Sequence, residues 1–236
     1  MIWRLLTIFI GCIFILQGCV LENAGGPNKQ QNERKGEIEV NQQLFQAVEH
    51  KDTDIIRRLI EEGIDINSQD SQGRTATMIA TYNHDVVNAK ILIDAGADVN
   101  IRDDMKNNPF LYAGAEGYID ILKLTIEAGA DPSVTNRYGG TALIPASEHG
   151  YVDVIKELLT STDVDVNHVN NLGWTALLEA IILGNGDEKQ QQTVQLLIDH
   201  GANVNIPDNK NVTPLQHARA KRFKEIEQTL LKARAK

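Results

Sequence analysis

The sequence predicts an all-α solenoid of about six helix-turn-helix repeats, and two series of residues at one period carry that prediction. Ala47, Ala80, Ala113, Ala146, Ala180 and Ala218 each follow, three residues on, Leu44, Thr77, Phe110, Leu143, Leu177 and Leu215. Successive alanines lie 33, 33, 33, 34 and 38 residues apart. A second series, EEGIDIN, DAGADVN, EAGADPS and DHGANVN, trails the alanines of the first, second, third and fifth units, and TDVDVN stands at the equivalent place in the fourth. Self-similarity at this period marks stacked units that cannot bury their apolar faces singly. An aromatic content of only 5% fits packing by small residues.

The N-terminus precedes the first unit and reads differently. MIWRLLTIFIGCIFILQGCV carries one basic residue, Arg4, and then an apolar run of 12 residues from Leu5 to Leu16. A membrane-spanning helix needs about 20, so the run reads as an export signal over residues 1–18. Leu16, Gln17, Gly18 and Cys19 resemble a bacterial lipobox, which implies cleavage before Cys19 and its lipidation. Cys12 after Gly11 is a competing site with a shorter apolar core, and an uncleaved anchor is the alternative. Residues 19–36, polar and containing Gly25, Gly26 and Pro27, read as a lipidated cysteine and flexible tether with a reach of about 20–25 Å. The expected location is extracytoplasmic, on the periplasmic side in a Gram-negative cell.

The repeats then run at about 37–69, 70–102, 103–135, 136–169, 170–207 and 208–236. Thr75, Thr141, Thr175 and Thr213 stand where a hydroxyl caps a first helix, with Pro109 and Pro214 at first-turn positions. VIKELL and TVQLLI place apolar residues on one side of a second helix. Gly63, Gly96, Gly129 and Gly201 follow that helix, where a left-handed residue closes it. DSQGRTATMIATYNHDVVNAKILIDAGADVNIR is similar to an ankyrin repeat. The resemblance covers residues 37–236 and implies short β-hairpin-like turns and a concave binding surface. The ends are atypical, as capping repeats must be, and Lys221, Arg222, Lys224, Lys232, Arg234 and Lys236 mark the last one.

Charge and chemistry narrow the function. The net charge of −9 becomes one unit more negative when residues 1–18 and Arg4 leave, which disfavours nucleic acid and leaves the lipid as the only membrane contact. With Cys12 and Cys19 alone, no internal disulfide or thiolate chemistry remains after processing. Phosphate loop, metal motif, nucleophile elbow and metal-spaced histidine pair are all lacking, so no cofactor, metal or catalytic residue is expected.

By repeat position the resemblance implies that a protein or extended peptide docks on Arg74, Tyr82, Asn83, Met105, Asn107 and Glu116. It adds Arg137, Tyr138, Glu148, His149, Leu172 and Trp174, and the protein is expected to be monomeric. Trp, Tyr and Arg are the residues that dominate interfaces. A competing small-ligand or hydrolytic site would gather Glu148, His149, Glu179 and His217. Glu179 and His217 precede the shared alanine in adjacent repeats, so their side chains can meet, and they are expected to satisfy one another or the turn backbone. Pro145, at the same position, breaks a local rule. The insertion Asn185 to Gln192 reads as a surface loop in repeat five.

Overall fold

The computed structural model describes residues 40–236; Cys19, the export signal and the tether lie outside these residues. Among the described residues twelve α-helices pair in sequence order, two to a repeat, and there is no strand. The first repeat contributes α1 (40–49) and α2 (Thr53–Glu61). Repeats two and three contribute α3 (Ala76–Tyr82) with α4 (Val86–Asp94), and α5 (Pro109–Glu116) with α6 (Ile119–Glu127). Then come α7 (Leu143–His149) with α8 (Val152–Ser161), α9 (Ala176–Ile182) with α10 (Glu188–Asp199), and α11 (Pro214–Lys221) with α12 (Lys224–Lys232). No described helix is long and apolar enough to cross a membrane.

The period reappears as burial. Ala80, Ala113, Ala146, Ala180 and Ala218 are wholly buried and belong to a core that runs unbroken from Leu44 to Leu230. First helices stack on first helices, α7 against α9 most extensively, and second helices on second helices. The contact is close enough to require small residues: a Cβ on Gly114 would lie 2.8 Å from that of Ala142.

Thr75, Thr175 and Thr213 accept the N–H of the residue three positions on, and Asn108 does so in repeat three. Thr141 does not. Its hydroxyl is buried without a partner, and α7 begins on uncapped Ala142. Pro145 is the cause. It has no N–H for the Thr141 carbonyl, which takes Ile144 N–H at 3.2 Å instead, while Ala146 N–H reaches the Ala142 carbonyl at 3.4 Å. The first turn of α7 is therefore tightened toward a 3₁₀ pattern.

The second helices end as expected, with Gly96 left-handed at φ 92° and its counterparts similar. The loop expected at Asn185 to Gln192 is a correction. Glu188 to Gln192 form the first turn of α10, capped by Asp187, and Gln190 is buried with its side chain donating to the Glu148 carbonyl at 2.5 Å. The insertion lengthens a helix and braces the neighbouring repeat.

Candidate interaction groove

One side chain organises the turn before each first helix from repeat two onward: Asp70, Asp103, Asn136, Asn170 or Asp208. In each, Oδ1 accepts backbone N–H groups across the turn, one at Asp103 and two at the others. Asp70 takes Gln72 at 2.8 Å and Arg74 at 2.9 Å, and Asn170 takes Leu172 and Trp174, both at 3.0 Å. With Oδ1 committed to the turn, the second polar atom is free to engage a nearby side chain. Asp70 Oδ2 accepts Arg74 Nε at 2.7 Å, and Asp103 Oδ2 accepts the Tyr82 hydroxyl. Asn170 Nδ2 donates to Glu179 Oε1 at 2.7 Å, and His217 Nε2 pairs with Asp208 Oδ2 at 2.9 Å.

Glu179 and His217 are thus not each other's partners. Each is bound nine residues back, to its own repeat's turn, a carboxylate to an amide donor and an imidazole to a carboxylate. The shared spacing of nine was visible in the sequence; the turn geometry that makes it a contact was not.

Between these turns and the first helices runs an open groove of about 980 Å³, reaching from repeat two to repeat five. Arg74, Tyr82, Met105 and Asn107 line one end, and Glu116, Arg137, Tyr138, Glu148 and Leu172 the remainder. Three expected residues fall elsewhere. Asn83 is exposed outside the groove, and its carbonyl accepts Lys51 Nζ. His149 is exposed beside the Tyr151 ring, 5.3 Å away. Trp174 sits at the foot of its turn without lining the groove. The groove also holds residues not anticipated as partner contacts, among them Tyr112, Ile144, Pro145, Asn170, Glu179 and Leu183. Tyr112, Pro145 and Glu179 share the position before the alanine, a signal that could have placed all three together.

Compared with known proteins, three overlapping copies of the sequence profile described as "Ankyrin repeats (3 copies)" match residues 44–136, 110–188 and 143–236. The chain belongs to the ankyrin-repeat family. Over 80 residues it is 51% identical to the putative ankyrin repeat protein YahD of Escherichia coli K12, a stretch that spans 34% of this chain and 40% of that protein. Among solved structures, an ankyrin repeat domain from Acinetobacter baumannii is 51% identical with a TM-score of 0.80, covering 82% of this chain and 98% of its own. The ankyrin repeat protein EF0377 is 37% identical with a TM-score of 0.78 over 81% of this chain and 97% of its own. The ankyrin repeat domain of Bcl-3, at 23% identity and a TM-score of 0.73, shares the fold.

Within this ankyrin groove the charges are unevenly neutralised. Arg74 is held by Asp70 and by Glu49 at 3.2 Å. Burial alone would raise the Asp70 carboxyl, but the Arg74 guanidinium and the turn N–H groups outweigh it and hold it below the usual carboxylate range. Burial pushes the Tyr82 phenol up to about 12, with the Asp103 carboxylate adding to it against an opposing bond from Asn107. Tyr82 also packs edge-on against Tyr112, ring centres 4.4 Å apart. The Arg137 guanidinium lies 4.9 Å above the Tyr138 ring. Glu179 is only 6% exposed. Burial first, then the Glu148 carboxylate, push its carboxyl up to about 7, the Asn170 bond opposing them.

No Ser, Thr, Cys, His or Lys is among the residues lining the groove. His149 and His217 do not join Glu148 and Glu179 there, so the four-residue hydrolytic constellation does not assemble. Among the described residues no group of three or more His, Cys, Asp or Glu is placed to hold a metal ion.

Proposed function

We infer that this is a non-enzymatic, membrane-tethered ankyrin-repeat protein of the bacterial envelope that binds a protein or an extended peptide along its inner groove. One observation carries the binding claim. Met105, Tyr138 and Leu172 occupy the same position of three successive turns, all line the groove, and are 50%, 55% and 50% exposed. Large apolar side chains aligned at the rim of a groove are an interaction surface, since the fold gains nothing from leaving them in water. The tether is supported by the lipobox-like Leu16-Gln17-Gly18-Cys19 after a short apolar run. Two or three acyl chains make attachment effectively permanent, so the protein acts as a single lipid-anchored chain outside the cytoplasmic membrane.

In-cell crosslinking followed by affinity capture from detergent-solubilised membranes tests both parts. The wild-type chain captures a specific protein that a folded Tyr138→Ala, Leu172→Ala variant loses, and a Cys19→Ala variant carries no fatty-acid label. Retention of the same partner by the double variant would overturn the groove, and persistent label would overturn the anchor.

A further inference from the structure

We propose that the groove takes a basic side chain, lysine or arginine, from an extended segment of the partner protein, and seats it on the Glu148 and Glu179 carboxylates. The proposal rests on the groove reading above and adds the chemistry of the occupant.

Glu179 is held from one side only. Asn170 cannot turn, because its Oδ1 accepts two backbone N–H groups of its own turn, so its Nδ2 fixes Glu179 Oε1 at 2.7 Å. Among the described residues no donor reaches Glu179 Oε2 or the carboxylate of Glu148, although both residues line the groove. Two carboxylates that line the same groove, one of them largely buried, have no paired cation among the described residues.

The charges around the pair favour a cation over an anion. Glu116 lines the groove from α5 and Glu148 from α7, and on the α11 side His217 is taken up by Asp208. Arg74 is paired with Asp70 and Glu49, and Arg137 stacks on Tyr138 at the turn. A carboxylate from a partner would therefore meet more repulsion than attraction at this point. A metal ion would need further ligands, and no group of three is present among the described residues.

Ile144, Pro145 and Leu183 line the same space and suit the alkyl stem of Lys or Arg, with the charge at its end. The apolar tips decide for a peptide over a free amine. Packed helices lie roughly 8–10 Å apart, which is close to one turn of an extended polyproline-II chain, three residues at about 3.1 Å each with side chains three apart on the same side. An extended segment can therefore place apolar side chains three positions either side of its basic residue, against neighbouring tips, whereas a small amine would leave those tips in water.

The test uses the full chain in detergent and four fluorescein-labelled peptides, Leu-Ala-Ala-X-Ala-Ala-Leu, with arginine, lysine, norleucine or glutamate at X. Binding is read by anisotropy at pH 6 and pH 8. At pH 8 the arginine and lysine peptides bind about 10-fold more tightly than the norleucine peptide, and the glutamate peptide binds weakest. At pH 6, where Glu179 carries a proton, the advantage shrinks. In Glu179→Gln the advantage is reduced at pH 8 and the pH dependence is gone, while an unchanged helical circular-dichroism spectrum reports that the repeats are folded.

Equal binding of norleucine and arginine peptides by the wild type would overturn the basic anchor and leave the groove reading standing. Tightest binding of the glutamate peptide would overturn the anchor in favour of Arg137. A full arginine preference in a Glu148→Gln, Glu179→Gln variant would move the cation elsewhere and overturn it too. If no peptide binds, the anchor and the groove reading fall together.

Discussion

At the scale of single residues, Glu179 shows how a repeat position becomes a chemical one. Its counterparts Ile79 and Tyr112 leave no acid at this place, whereas Glu179 puts a largely buried carboxylate into the groove that Glu148 also lines. The carboxyl is raised to about 7 from an ordinary 4.5, so the folded chain holds this proton more tightly than the unfolded chain. The stabilisation is complete below about pH 4.5 and is lost as the pH rises through about 7. Glu179→Gln carries no charge at any pH and keeps an acceptor for Asn170. The variant is therefore more stable than the wild type at pH 8, by about 1–2 kcal/mol once water in the groove is allowed for. The difference closes by pH 5. Thermal melts at the two pH values check this, and a variant that melts below the wild type at pH 8 would refute it.

At the scale of the helix, Pro145 is the local exception with a measurable cost. Replacing it with alanine restores an N–H for the Thr141 carbonyl and frees Thr141 to cap α7 as its three counterparts cap theirs. The regained bond and cap are worth about 1–2 kcal/mol, offset by about 0.4–1 kcal/mol for the freer unfolded chain. Pro145→Ala gains about 1 kcal/mol in urea unfolding, and a loss would place the proline's value in the folded groove instead. The same helix marks what the sequence could disclose. Which alanines are buried, and which glycines close the helices, was legible because period and burial are tied to each other in a stack. That Thr141 is idle was not, since the cause lies four residues away in the ring of Pro145. The insertion in repeat five was misjudged because a polar run looks alike in a loop and on the outer face of a helix; only the burial of Gln190 against Glu148 separates them. The groove residues were mostly legible by repeat position. Glu179 and His217 were not paired correctly, because their partners are set by the turn conformation rather than by stacking.

At the scale of the whole solenoid, two recurring kinds of bond between the turns tie neighbouring repeats, and both are missing at one junction, where the Lys123–Glu157 ion pair at 3.7 Å and the contact of Arg137 with Met105 remain. Asn67 Oδ1 accepts Asp98 N–H at 2.8 Å, Asn100 accepts Asp131 at 2.8 Å, and Asn167 accepts Asn203 at 2.7 Å. At the third repeat Ser133 replaces that asparagine, and its hydroxyl turns back to Asp131 at 2.6 Å. Backbone bonds likewise join the turns of repeats two and three, Asp104 to Gln72, and of four and five, Asn171 to Tyr138, both at 3.0 Å. Among the described residues no such bond joins three to four. Stability in a stack is a sum of repeats and nearest-neighbour interfaces, so an interface that lacks both recurring bonds is where cooperativity divides. Trp3 and Trp174 are the only tryptophans, which makes the division observable. In a Trp3→Phe background, Trp174 fluorescence follows the second half alone, while circular dichroism follows every helix. The two urea transitions separate in that protein. Ser133→Asn supplies an acceptor for the Asp165 N–H and brings them together, with a gain of about 0.5–1.5 kcal/mol. Coincident transitions before the substitution would mean that the packing of α5 on α7 and of α6 on α8, with the Lys123–Glu157 ion pair, is enough to couple the halves.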